Sequence, residues 1–131
     1  MWIARAHSAL MAAKADALRP LDLTVAQYAA LVTVGAGPGA SATDVARACL
    51  VSPQSMAVTM GTLEKRGLVR REDGPARGRA RGVTLTPEGL GLLRQADARA
   101  VDVERAALER LGTDAARELR AALGRAAPPG P

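Results

Sequence analysis

Gln54, Ser55, Val58, Gly61, Thr62 and Lys65 recur at intervals that place them on one side of an α-helix. Gln54, Ser55 and Thr62 can each donate and accept hydrogen bonds, and only Lys65 is charged. Twelve residues past Lys65 comes Arg77, followed by Arg79 and Arg81 at alternate positions. Guanidinium groups at that density suit phosphate oxygens and narrow grooves of negative potential. The chemistry on offer is binding of a polyanion.

The charge distribution agrees. The chain carries 18 Lys and Arg against 13 Asp and Glu, a net charge of +5, and sixteen of the basic residues are Arg. Residues 41–85 hold eight basic and four acidic groups, whereas residues 86–131 hold seven of each. A local excess of this kind is the electrostatic footprint of a polyanionic partner. Catalysis and metal binding fit poorly. The single Cys precludes an internal disulfide or a multi-Cys metal site, and the single His precludes a His cluster. No paired carboxylates or nucleophile–base set stands out, so no enzyme and no cofactor is expected. With one Trp, one Tyr and no Phe, an aromatic platform for single-stranded nucleic acid is not expected either. No apolar run approaches the roughly 18 residues needed to span a membrane. The N-terminus carries no export signal, so a cytoplasmic protein is expected.

The positioning elements can be read from their punctuation. Ile3, Leu10 and Ala17 repeat every seven residues and predict a helix over 2–18, closed by Pro20. Its first turn has little to pack on within a small domain, which makes Trp2 and Ile3 candidate contacts to a second subunit. Thr24-Val25-Ala26-Gln27 and Ser41-Ala42-Thr43-Asp44 are capping boxes, each opening a helix. The first helix ends at the Gly/Pro cluster 35–39. The second places Val45, Ala46, Cys49 and Leu50 on its apolar side. Ser52-Pro53 starts the next helix, which runs to about Arg66 with Met56, Met60 and Leu63 inward. Gly67 stops it.

Leu68 to Asp73 then alternates, with Leu68, Arg70 and Glu72 on one face and Val69, Arg71 and Asp73 on the other. Val83 and Leu85 alternate on a return strand, and residues 74–82 form a polar, Gly-rich tip. Thr86-Pro87-Glu88 opens a long helix with an apolar stripe from Leu90 to Leu111, and a last helix runs from Thr113 to about Arg125. The fold class is mainly α with a small β-hairpin wing. A groove-entering helix followed by a ribbon of arginines describes a winged helix-turn-helix. A single domain spans 1–127. Helices in 1–20 and 87–127 form a dimerisation region around a DNA-binding lobe, 24–86, whose wing is 68–86. Residues 128–131 read as a disordered tail.

Two segments carry a closer resemblance. Leu63-Glu64-Lys65-Arg66-Gly67-Leu68-Val69 leads into Arg70-Arg71, and Val83-Thr84-Leu85-Thr86-Pro87-Glu88-Gly89 holds a Leu-Thr-x-x-Gly pattern. At this separation, with flanking helices, the chain resembles the MarR family of winged-helix transcriptional regulators along essentially its whole length. The resemblance implies a homodimer on a pseudo-palindromic operator of double-stranded DNA. It implies Ser52, Gln54, Ser55, Val58, Thr62 and Lys65 at the major groove, and Arg77, Arg79 and Arg81 in the wing. Gln54 would then address adenine and Val58 a thymine methyl. It also implies a repressor released by a small lipophilic or phenolic effector, for which Trp2, His7, Met11 and Tyr28 are candidate contacts. The plainer reading gives His7 and Tyr28 packing or solvent roles. Cys49 reads as a buried, inert thiol. The chain departs from the family twice. Arg77 stands where an Asp usually precedes the wing's signature Arg, here Arg79, and Val58 stands where a polar or basic residue is frequent. The alternative function is a winged-helix module for protein contacts.

Overall fold

The computed structural model describes residues 1–72 and 82–126. In chain order the elements are α1 (Trp2–Leu18), α2 (Val25–Ala36), β1 (Ala40–Ser41), α3 (Ala42–Ala48), α4 (Pro53–Lys65), β2 (Val69–Arg71), β3 (Gly82–Leu85), α5 (Pro87–Leu111) and α6 (Thr113–Ala126). A 3-10 turn, Arg19–Leu21, links α1 to α2. Pro20 sits inside that turn, so α1 itself stops at Leu18.

The caps form as the residue types require. Thr24 Oγ1 accepts from the Gln27 amide at 3.1 Å, and the Gln27 side chain accepts from the Thr24 amide at 3.0 Å. Ser41 and Asp44 repeat the arrangement for α3 at 3.1 Å in both directions. Each box satisfies amides that the first helical turn leaves free. The hydrogen bonds from Ser41, with a smaller contribution from Arg47, hold the Asp44 carboxyl below its ordinary range.

The core lies where α2, α3, α4, the sheet and the first half of α5 meet. Leu18, Leu31, Val45, Met56, Met60, Leu63 and Val83 are fully enclosed, and Leu93 and Ala96 bring α5 into the same cluster. Burying an aliphatic side chain of this size contributes about 1.5–3 kcal/mol. No polar or charged side chain among the described residues is buried. Three strands pair antiparallel in the order β1-β3-β2. Val69 faces Leu85, Arg70 faces Thr84 and Arg71 faces Val83.

The sequence expectation of a two-stranded ribbon is thus corrected by one strand, since Ala40 and Ser41 pair with Val83 and Gly82. The expected alternation also fails at its start. Leu68 and Val69 are both buried, because Leu68 belongs to the turn leaving α4 and packs inward before the strand begins.

Gly89 explains the Leu-Thr-x-x-Gly pattern physically. Thr86 caps α5 by accepting from the Gly89 amide at 3.0 Å and donates its hydroxyl to Gly67 O at 2.6 Å. Its own amide donates to Leu68 O at 3.1 Å. A Cβ on Gly89 would fall 1.9 Å from Leu68 O, so only glycine permits this junction.

Candidate nucleic-acid interface

Helix α4 is held on its inner side and free on its outer side. Met56, Met60 and Leu63 are buried, while Ser52, Gln54, Ser55, Val58, Thr62 and Lys65 are all exposed. Ser52 caps α4 by accepting from the Ser55 amide at 3.1 Å, and the two hydroxyls lie 3.0 Å apart. Thr62 donates its hydroxyl back to Val58 O at 3.2 Å, a bond that leaves its methyl and lone pairs outward. Gln54 makes no side-chain hydrogen bond within the described residues, so its amide is free to take a partner from outside. The structure therefore brings together the six sequence-selected residues of α4. Arg77, Arg79 and Arg81 lie outside the described residues.

The C-terminal end of α4 is fixed to neighbouring elements. The Arg66 guanidinium donates to Asp22 O at 2.5 Å and Leu21 O at 3.3 Å. Glu64 pairs with Arg71 of β2 at 3.5 Å, and Arg70 Nε donates to Thr84 Oγ1 at 3.3 Å. The hairpin base closes with Glu72 N donating to Gly82 O at 2.8 Å. These contacts set the orientation of α4 relative to the two strands that precede and follow residues 73–81.

One residue that the sequence placed inward points out. Leu50 lies beyond α3, 92% exposed, with φ of +56°. A branched side chain in left-handed backbone is disfavoured by about 1–2 kcal/mol. It occupies the turn between α3 and α4, where the chain changes direction within the four residues 49–52, and geometry there overrides the apolar pattern. Gly61 is the opposite case. A helix-interior glycine costs about 1 kcal/mol relative to alanine, yet nothing in the fold lies within 4 Å of where its Cβ would be.

The four candidate effector contacts are dispersed. Trp2 is 79% exposed, with the Arg5 guanidinium 5.3 Å from its ring centroid. His7 is exposed on the same helix, and Met11 is half-buried. Tyr28 donates to Asp97 Oδ1 at 2.7 Å, joining α2 to α5. Burial raises the Tyr28 pKa most, followed by that hydrogen bond and the negative charges of Asp97 and Glu104. Glu104 in turn pairs with Lys14 of α1 at 2.5 Å.

Open grooves among the described residues include two of similar size. One of about 490 Å³ is lined by Ala15, Arg19, Leu23, Gln27, Thr62 and Arg66 among others. The second, about 550 Å³, lies between α5 and α6 along Leu108, Leu119 and Leu123. None of the four candidates lines either groove. Cys49, expected to be buried, is half-buried because it caps the end of α3, with Sγ 3.4 Å from Thr33 Oγ1.

Comparison with known proteins bears on this interface. A family model described as MarR family matches residues 21–80. The HTH-type transcriptional repressor Rv2887 of Mycobacterium tuberculosis is 34% identical over 104 residues, 79% of this chain and 75% of that protein. Among solved structures, the M. tuberculosis MarR family protein Rv2887 in complex with salicylic acid has a TM-score of 0.79 at 30% identity, covering 96% of this chain and 93% of that one. Its complex with DNA gives 0.79 at 28% identity, covering 97% and 95%. The transcriptional repressor CouR bound to a 23-mer DNA duplex gives 0.88 at 27% identity, covering 96% and 89%.

Proposed function

The chain belongs to the MarR family, and from that membership we propose that it is a homodimeric, sequence-specific DNA-binding transcriptional repressor released by a small phenolic ligand. The observation that carries the reading is α4. Its inner face is locked into the core by Met56, Met60 and Leu63, while Ser52, Gln54, Ser55, Val58, Thr62 and Lys65 stand outward. A rigid helix with an outward row of hydrogen-bonding side chains suits the major groove, where each base pair presents a distinct donor and acceptor pattern. Relatives solved with DNA, Rv2887 and CouR, support the same role here. They also weigh against a module used only for protein contacts. A cytoplasmic location goes with the role.

Roles follow from the side chains. Gln54 makes a bidentate contact to adenine, Val58 touches a thymine methyl, and Ser52, Ser55 and Lys65 hold phosphates. Arg77, Arg79 and Arg81 supply minor-groove and phosphate contacts. Pairing uses α1, α5 and α6. Met1, which precedes α1, Trp2 and Ile3 on α1, and Leu108, Leu111, Leu119 and Leu123 on α5 and α6 leave much apolar surface exposed on one chain. Two copies related by a two-fold axis would cover it and present two α4 helices. The phenolic effector is proposed because Rv2887 has been solved with salicylic acid and with p-aminosalicylic acid.

Site selection from random duplex DNA with the purified protein tests the reading. A two-fold symmetric site with half-sites about 34–36 Å apart centre to centre is expected. Salicylate should release the protein from it. No enrichment at low salt would remove the DNA-binding assignment, and an Arg79→Ala variant that binds unchanged would remove the wing's part in it. Light scattering should give twice the monomer mass, and Leu119→Glu should lower it.

A further inference from the structure

Gly61 occupies a place for which the fold supplies no reason. It lies within α4, seven residues after Gln54, three after Val58 and four before Lys65, and so shares their outward face. It is half-exposed, its φ is not positive, and an added Cβ would meet open space. Core packing and backbone conformation would both accept alanine, which helices prefer. The reason must come from something that approaches from outside.

Its neighbour Val58 points to what that is. Val58 is 73% exposed and ends two bonds from Cα. On a surface built to read bases, so short an apolar group matches one feature of the major groove, the C5-methyl of thymine. A side chain that short touches the methyl only if the helix backbone seats close to the base edges. Any side chain at position 61, the next turn of the same face, would hold the helix away.

We propose that Gly61 is a close-approach position: lacking a Cβ, it lets α4 sit deep enough in the major groove for Val58 to contact a thymine methyl. The proposal rests on the DNA-binding reading above and specifies how that surface discriminates. It also fits the small side chains of Val58 and Thr62 that flank Gly61 on the outward face.

The experiment uses the full chain and the duplex returned by site selection. Each thymine is replaced singly by deoxyuridine, which deletes only the methyl. Wild type, Val58→Ala and Gly61→Ala are compared by fluorescence anisotropy, and their melting by circular dichroism. Gly61→Ala is expected to melt at or above wild type while binding the parent duplex about tenfold or more weakly. One thymine per half-site should lose about fivefold in wild-type affinity on methyl removal, and Val58→Ala and Gly61→Ala should both be indifferent to that methyl.

The proposal is overturned if Gly61→Ala binds as wild type, if it keeps the methyl sensitivity, or if it melts well below wild type. Site selection without enrichment would instead remove the DNA-binding reading itself, so the two failures are distinguishable.

Discussion

Replacing Gly89 by alanine should damage the fold more than any other single methyl addition to α5. The added Cβ would lie 1.9 Å from Leu68 O, 2.8 Å from its carbonyl carbon and 3.2 Å from its Cα. Ordinary contact begins at 3.4 Å, so the Leu68 carbonyl must retreat by about 1.5 Å. That displacement separates Leu68 O from the Thr86 amide and Gly67 O from the Thr86 hydroxyl.

Each lost hydrogen bond costs about 1 kcal/mol, and forced overpacking adds about 1–3 kcal/mol. The sum is about 3–5 kcal/mol, a large part of the roughly 5–15 kcal/mol that holds a domain folded. For a chain of 131 residues this lowers Tm by at least about 10 °C. The assay is thermal melting by circular dichroism at fixed protein concentration. Gly91→Ala serves as control, since its Cβ would meet nothing within 4 Å; it should match or exceed wild type by up to about 1 kcal/mol. If Gly89→Ala melts within about 3 °C of wild type, the close approach does not exist and the argument fails.

Other perturbations test other parts. Tyr28 is the single tyrosine, so phenolate absorbance reports it alone. Its folded-state pKa is raised from 10.0, so the stability it contributes is full below about pH 10 and is lost as pH rises further. The folded protein should titrate above the urea-unfolded protein, and Tyr28→Phe should remove that share of the alkaline destabilisation; equal midpoints would refute the burial argument. Leu50→Gly should stabilise by about 1 kcal/mol in urea denaturation, because left-handed strain is relieved and little packing is lost. In anisotropy titrations across salt concentrations, Arg79→Ala should lower the slope of log affinity against log salt by about one. Gln54→Ala should leave Tm unchanged and weaken binding to the selected site by about 1–3 kcal/mol.

The elements that could be read from the sequence are those with local chemical punctuation. Both capping boxes, the Ser52 and Thr86 caps and the Gly67 stop depend on residues within a few positions of each other, so their types suffice. Strand β1 was illegible because two residues carry no periodicity, and Ala40 and Ser41 become a strand only by meeting β3 more than forty residues later. Leu50 was misplaced because an apolar pattern does not say where a helix stops. Cys49 already stands at the α3 cap, and the turn left Leu50 no inward direction. The α4 face was legible because Met56, Met60 and Leu63 fix which side is inward. The Tyr28–Asp97 link was not, since it joins residues 69 positions apart.

Thr86 and the Glu72–Gly82 closure have a consequence for how such a protein diverges. The junction of α4 with α5 is stapled by Thr86 to Gly67 and Leu68, and the hairpin is sealed at Glu72 and Gly82. A change at Gly67, Leu68, Thr86 or Gly89 therefore disturbs α4, the sheet and α5 together, whereas a change on the outward face of α4 touches none of these contacts. Selection can thus reshape base readout residue by residue on that face while Met56, Met60 and Leu63 keep the helix seated. Tolerance to substitution should be lowest at Gly67, Leu68, Thr86 and Gly89.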